Sequence, residues 1–90
     1  MTKQVLVLCD DKWHPAQVVR GGIEKLGTDD FAFDVIENSR EWSAARMGQY
    51  PLVLLAKANQ ISAVENEPWM TPAIEEAFLE YVRAGGGLLV

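Results

Sequence analysis

Short aliphatic runs that recur along the chain, separated by stretches with helical spacing, restrict its fold more than any other feature. Val5–Cys9 and Leu52–Ala56 contain only apolar residues, as strands covered on both faces do. Phe31–Ile36 is predicted to be a further strand, whose internal Asp34 suits a sheet edge, and Leu88 begins a fourth. Strands that alternate with helices indicate βαβ units. We therefore predict an α/β three-layer sandwich of the flavodoxin-like type, with a parallel sheet in the strand order 2-1-3-4.

Two helices are expected between the first three strands. The first covers about residues 15–26 and ends at Gly27, with a sheet-facing side made of Val18, Val19, Gly22, Ile23 and Leu26. Gly21 and Gly22 each cost roughly 1 kcal/mol relative to Ala within a helix, so we interpret them as positions of close packing on the sheet. The second helix is expected to run from a Ser39 cap to Met47.

The third helix has the clearest start signal, with Thr71 as the cap and Pro72 as the first helical residue. Apolar residues then follow at helical spacing, at Ile74, Ala77, Phe78, Tyr81 and Val82, and the run Gly85–Gly87 ends the helix. Residues 57–70 are predicted to form a long loop before it, and loops of this length are usually functional or mobile.

Right-handed crossovers predict an uneven cover for the sheet, because they place the first helix on one face and the other two on the opposite face. Part of the first face should then expose apolar residues, which favours a homo-oligomer or another association through that face. The chain stops within an aliphatic strand, so we expect residues 1–90 to be the N-terminal portion of a single, longer α/β domain.

Composition narrows the classes of partner. The formal charge of −5 and the scattered Lys and Arg residues argue against a nucleic-acid partner, which needs a basic stripe. The single cysteine cannot form an internal disulfide. The first apolar run is too short for a signal peptide or a membrane span. We therefore expect a soluble cytoplasmic protein that does not bind a membrane.

Polar residues follow the first and third strands, and these are the strand ends that meet where the strand order reverses. Ligands of open parallel sheets bind at that point. We therefore predict that a small polar molecule is bound by Asp10, Asp11, Trp13 and Asn59, with His14 as the catalytic residue. His14 suits a proton carrier, a metal ligand or a hydrogen-bond partner, and equally a helix-entry residue. The aspartates equally suit helix caps, Asn59 a turn residue, and Trp13 either a sugar-stacking ring or an apolar plug.

Metal and cofactor motifs are absent from the sequence. One histidine, one cysteine and scattered carboxylates do not give the spacing of a zinc site, and there is neither a Walker A loop nor a GxGxxG motif. Gly85–Gly87 precedes a strand, so it is interpreted as a turn. Cys9 ends a buried strand and is interpreted as a core residue rather than a nucleophile. We predict no metal and no cofactor.

Several segments together resemble the ThuA-like (trehalose utilisation) family, which has the fold of class I glutamine amidotransferases. The resemblance rests on Val5–Leu8 followed by Asp10–Pro15, on Phe33–Val35 and Tyr50–Leu55, and most specifically on Phe78–Val90. It implies a role in carbohydrate utilisation, with a pocket at the strand ends that His14 lines. The cysteine and histidine of working amidotransferases lie after later strands, so whether the protein is an enzyme stays open.

Two other functions fit the same fold. A non-catalytic binding or assembly module of a larger amidotransferase-like protein would use the exposed apolar face. A degenerate response-regulator receiver would use the acidic pair Asp10 and Asp11 for magnesium. Its phosphoryl acceptor would stand at the end of the third strand, where the sequence reads Leu55-Ala56-Lys57 and offers no carboxylate.

Overall fold

The computed structural model describes residues 3–26 and 30–90 as alternating strands and helices. The strands are β1 (Lys3–Cys9), β2 (Phe31–Ile36), β3 (Leu52–Ala56) and β4 (Gly87–Leu89), and the helices are α1 (Ala16–Leu26), α2 (Ala44–Met47) and α3 (Pro72–Arg83). All neighbouring strands pair in parallel, in the order β2-β1-β3-β4. The predicted α/β class and strand order are thus confirmed.

The register of the two central strands positions the strand ends. Val5 of β1 pairs with Leu52 of β3, and Cys9 pairs with Ala56. Both strands therefore end at the same level, and the segments that follow them leave the sheet side by side at one edge. This is the arrangement that a binding site at the reversal of strand order requires.

Alternation along β1 divides the core between the two faces of the sheet. Leu6 and Leu8 pack on one face with Met47 of α2 and with Phe78 and Tyr81 of α3. Aromatic packing strengthens this side, because the rings of Trp42 and Phe78 stack with centroids 5.6 Å apart. The larger of the two core clusters therefore lies under α2 and α3.

The opposite face is covered by α1. Ala16, Val19 and Ile23 of this helix pack on Val5 and Val7 of β1. Val18, which we expected to face the sheet, is instead 68% exposed. It lies roughly 100° around the helix from Val19, on the side away from the packed residues. Gly27, the predicted end of the helix, lies outside the described residues.

The segment between β2 and β3 differs from the single helix predicted there. A 3₁₀ turn spans Ser39–Glu41, and its cap is Asn38, whose side chain accepts a hydrogen bond from Arg40 N. Trp42 is extended, and Ser43 then caps α2 by accepting from Arg46 N at 3.1 Å. Two capping side chains in close succession satisfy backbone donors locally, so they break the continuous helix that the spacing suggested.

Helix α3 follows its prediction closely. The Thr71 hydroxyl accepts a hydrogen bond from Ile74 N at 3.2 Å, and Pro72 is the first helical residue. Gly85 ends the helix with a φ of 102°, which glycine adopts without strain. Strand β4 begins at Gly87, one residue earlier than predicted. Within residues 3–26 and 30–90, no helix has the length and apolar character needed to cross a membrane.

The two adjacent glycines of α1 do not serve the close packing that we expected of them. A Cβ atom placed on Gly21 or on Gly22 would have no heavy atom within 4 Å outside the helix itself. Gly86 is different, because a Cβ there would lie 2.4 Å from the ring of Tyr81. Close approach therefore requires glycine after α3, whereas α1 has space for side chains.

Replacing either α1 glycine should stabilise the protein. Gly21→Ala and Gly22→Ala are each expected to raise the free energy of unfolding by about 0.5–1 kcal/mol, because alanine loses less backbone entropy in a helix. Urea unfolding monitored by circular dichroism measures this change. Gly86→Ala is the matched control and should destabilise the fold, because its methyl group meets the Tyr81 ring. Destabilisation by Gly22→Ala would show that α1 packs closely on its surroundings at this position.

Candidate functional site

Asp10 is the residue at which the chain leaves β1. Its φ of 81° is positive, a conformation that aspartate tolerates better than most residues. One carboxylate oxygen accepts a hydrogen bond from Ala16 N at 3.0 Å, and the other accepts from Ala63 N at 3.0 Å. The first bond satisfies a backbone donor at the start of α1, where a negative charge is favoured. Asp10 therefore joins the start of α1 to the loop that follows β3.

Asp11 has a fully buried side chain, and its carboxylate is surrounded by donors. Oδ1 accepts hydrogen bonds from Trp13 N at 2.7 Å and His14 N at 2.6 Å, while Oδ2 accepts from Ala58 N at 2.6 Å. Burial acts to raise the pKa of Asp11, but the hydrogen bonds from Ala58, His14 and Trp13 lower it to about 2. The carboxylate is thus ionised at neutral pH and binds the loop after β1 to the loop after β3.

His14 contacts the same carboxylate through its ring. Nδ1 lies 3.1 Å from Oδ1 and 3.0 Å from Oδ2 of Asp11. The Asp11 carboxylate is buried, whereas the His14 side chain is 66% exposed. An exposed imidazole is therefore held by a buried acidic group, which is the arrangement that orients histidine in many catalytic sites.

Trp13 points away from the core and is 72% exposed. The ammonium group of Lys12 lies over its ring, 5.2 Å from the centroid. The backbone of Lys12 is also fixed, because its N–H donates to Gln60 Oε1 at 2.8 Å. The tryptophan ring therefore projects into solvent from a backbone that is anchored on both sides, rather than filling space under α1.

Asn59 has a structural role in the loop after β3. Its Oδ1 accepts hydrogen bonds from Trp69 N at 2.9 Å and from Met70 N at 2.8 Å, which closes residues 59–70 into a compact loop. Trp69 is buried against the core. Asn59 also lines a small cavity of about 140 Å³ together with Lys57 and Ala58. Its amide nitrogen makes no hydrogen bond to the described residues.

Lys57 directly follows the apolar strand β3 and is not among the site residues that the sequence predicts. Its ammonium group donates to Ser39 Oγ at 2.7 Å and to the carbonyl oxygen of Ile61 at 2.8 Å. Burial lowers the pKa of Lys57, and the charge of Asp10 opposes that shift. The position of this lysine directly after a wholly apolar strand is the sequence feature that indicates a site residue.

A cavity of about 370 Å³ lies at the carboxyl ends of β1 and β3. Its lining combines polar groups with apolar surface, and consists of His14, Val18, Val19, Ala56, Lys57 and Ala58. His14 is therefore brought to the end of β3 as predicted from the strand order. Trp13 precedes His14 and Asn59 follows Ala58 in the sequence, but neither residue lines this cavity. A larger groove of about 600 Å³ lies away from these strand ends, between α2 and the end of α3.

Cys9 is not available as a nucleophile. Burial, and then the charge of Glu37, raise the pKa of its thiol to about 11. The thiol is therefore protonated at neutral pH, in agreement with its interpretation as a core residue. Within residues 3–26 and 30–90, no group of three or more His, Cys, Asp or Glu side chains is placed to hold a metal ion.

Comparison of the sequence with protein-family models, with curated proteins and with solved structures finds no match.

The lowered pKa of Asp11 predicts a loss of stability in acid. Because the folded-state pKa of about 2 lies below the usual 3.8, the ionised carboxylate contributes fully to stability above about pH 4. This contribution, about 2 kcal/mol, is lost as the pH falls from about 4 to about 2. Urea unfolding of wild type and Asp11→Asn should therefore differ most at neutral pH, and the difference should shrink below about pH 4.

Asp30→Asn provides the control, because it makes the same chemical change at an exposed aspartate before β2. Its stability should stay close to that of wild type at neutral pH. If the difference between Asp11→Asn and wild type kept its full size at about pH 2, the ionised carboxylate would not be the stabilising form.

Proposed function

We propose that this chain binds a small polyhydroxylated molecule, of the trehalose-type sugar class, at the carboxyl ends of β1 and β3. The binding unit would be a flavodoxin-like, ThuA-like domain located in the cytoplasm. One observation carries the proposal: Trp13 and His14 are exposed neighbours on an anchored loop, next to a cavity that His14 shares with the end of β3. Small-molecule sites combine such apolar surface with a few oriented polar groups.

The exposed groups suit the two sides of a sugar. The indole of Trp13 offers a flat apolar surface, against which the C–H face of a pyranose ring can stack. The imidazole of His14 offers polar contacts to hydroxyl groups at the cavity of about 370 Å³, whereas Asn59 lines the separate cavity of about 140 Å³. In this proposal Asp10 and Asp11 act by holding the loops, since both carboxylates already accept hydrogen bonds from backbone donors.

The same contacts make a receiver function less suitable. A receiver would need the acidic pair for a magnesium ion, but the carboxylate of Asp11 is fully buried and accepts hydrogen bonds from Trp13, His14 and Ala58. The residues at the end of β3 are Ala56 and Lys57, which cannot accept a phosphoryl group as an aspartate does.

Sugar binding is tested by isothermal titration calorimetry with trehalose, and with glucose as a smaller probe. Wild type should bind trehalose, and Trp13→Ala and His14→Ala should each weaken binding at least about tenfold, which corresponds to about 1.4 kcal/mol. Val64→Ala is the control, because Val64 is 90% exposed in the loop after β3 and does not line the cavity. Binding that is unchanged in both site variants, or absent in wild type, would refute the proposal.

A second function, assembly with another copy of the chain, is favoured by the uneven cover of the sheet. Leu89 of β4 pairs in register with Leu54 on the face of α1, and it is 59% exposed. These side chains carry no charge, so two copies of a chain with a net charge of −5 can meet there without direct repulsion.

Self-association is measured by sedimentation velocity across a range of protein concentrations. Wild type should form a dimer, and Leu89→Asp should shift it to monomer, because a charge would be buried in the apolar contact. Leu79→Asp is the matched control, since Leu79 is 46% exposed on α3, which packs on the opposite face. A wild type that stays monomeric, or a dimer lost equally in both variants, would argue against assembly through this face.

A further inference from the structure

The Asp11 carboxylate determines which nitrogen of His14 carries the proton. A carboxylate that is ionised has no hydrogen to donate, so every group within hydrogen-bond distance must donate to it. Three of these groups are backbone N–H groups, and the fourth is Nδ1 of His14 at 3.0 Å. Nδ1 must therefore carry a hydrogen, and in the neutral ring Nε2 is then the unprotonated nitrogen.

We infer that His14 is a preorganised proton acceptor, held by Asp11 in the Nδ1–H tautomer so that Nε2 accepts a hydrogen bond from a hydroxyl group of the ligand. This inference deepens the proposed function and rests on it for the nature of the ligand. Asp11 acts through the imidazole, so it is a positioning residue. His14 is the group that meets the ligand.

The backbone keeps the ring and the carboxylate in register. His14 N donates to Asp11 Oδ1 at 2.6 Å, and Asp11 N donates to the carbonyl oxygen of His14 at 3.2 Å. These bonds close residues 11–14 into a tight turn, which places Nδ1 within reach of both carboxylate oxygens. Rotation of the ring by 180° would bring a C–H group against the carboxylate and lose the hydrogen bond.

The ammonium groups of the two lysines in the neighbouring loops have partners other than the His14 imidazole. The ammonium group of Lys57 donates to Ser39 Oγ and Ile61 O, and that of Lys12 lies over the Trp13 ring. Within the described residues, Nε2 of His14 makes no hydrogen bond. The exposed edge of the imidazole is thus directed to solvent and to the cavity that His14 lines.

This geometry defines what happens when a hydroxyl group binds. The ligand O–H donates to Nε2, and if the proton is transferred, the electron pair stays on the ligand oxygen. The positive charge then lies on an imidazolium ring that is paired with the buried carboxylate of Asp11. That pair stabilises the protonated ring without movement of the protein, because the carboxylate is already in place.

The tautomer can be measured directly, because the chain contains a single histidine. Nitrogen-15 NMR of uniformly labelled wild type at about pH 8.5, where an ordinary imidazole is neutral, distinguishes a protonated ring nitrogen from an unprotonated one. Nδ1 should give the protonated signal and Nε2 the unprotonated one. A spectrum with these assignments reversed, or with both tautomers equally populated, would overturn the inference.

Variants separate the positioning role from general stability. Asp11→Asn should shift the ring towards the Nε2–H form that predominates in free histidine. Asp30→Asn makes the same chemical change at an exposed aspartate before β2, away from the site, and should leave the tautomer unchanged. A tautomer that changes equally in both variants would contradict the role of Asp11. If Asp11→Asn does not fold, the wild-type spectrum decides alone.

Adding trehalose separates this inference from the proposed function. If the sugar binds as proposed, the Nε2 signal should move while Nδ1 stays protonated. If trehalose produces no change at any concentration but the Nδ1–H form is observed, the sugar proposal fails and the preorganised acceptor stands. Binding of trehalose with no movement of the Nε2 signal would refute the contact between His14 and a hydroxyl group.

Discussion

The buried carboxylate of Asp11 is the interaction on which the site depends. An ionised carboxylate removed from water loses several kcal/mol of solvation, and this loss must be offset by donors in the protein. Asp11 receives hydrogen bonds from Ala58 after β3 and from Trp13 and His14 after β1. Because the same charge satisfies donors from both loops, the position of each loop depends on the other.

Asp10 and Asp11 are adjacent in sequence but connect different pairs of segments. Asp10 joins the start of α1 to Ala63, and its positive φ turns the chain so that the next side chain points inward. Asp11 joins its own turn to Ala58. The acidic pair therefore builds a rigid platform, and the groups presented to solvent are those of Trp13 and His14. A pair of aspartates in this position can thus be framework rather than a metal site.

Patterns that depend on local sequence were sufficient to predict much of the fold. Apolar runs predicted the strands, and Thr71-Pro72 predicted the start of α3. Predictions failed where two local preferences compete, as in the break at Trp42 between two caps. They failed again at Gly22, where the distance between α1 and its neighbours in the folded chain determines whether a side chain has space. The partial burial of Lys57 also could not be predicted, because its acceptors, Ser39 Oγ and Ile61 O, come from segments that only the folded chain brings together.

Chemistry, rather than size, separates the candidate site from the larger groove of about 600 Å³. That groove is lined mainly by small and apolar residues near the end of α3, and its acidic residue Glu80 already forms a salt bridge with Arg83. The cavity of about 370 Å³ is smaller but lies where two parallel strands end. At that edge, backbone N–H groups from the loops after β1 and β3 hold the Asp11 carboxylate in place, and this carboxylate in turn orients the imidazole of His14. A parallel sheet therefore supplies at its carboxyl edge the directed polar groups that selective binding needs.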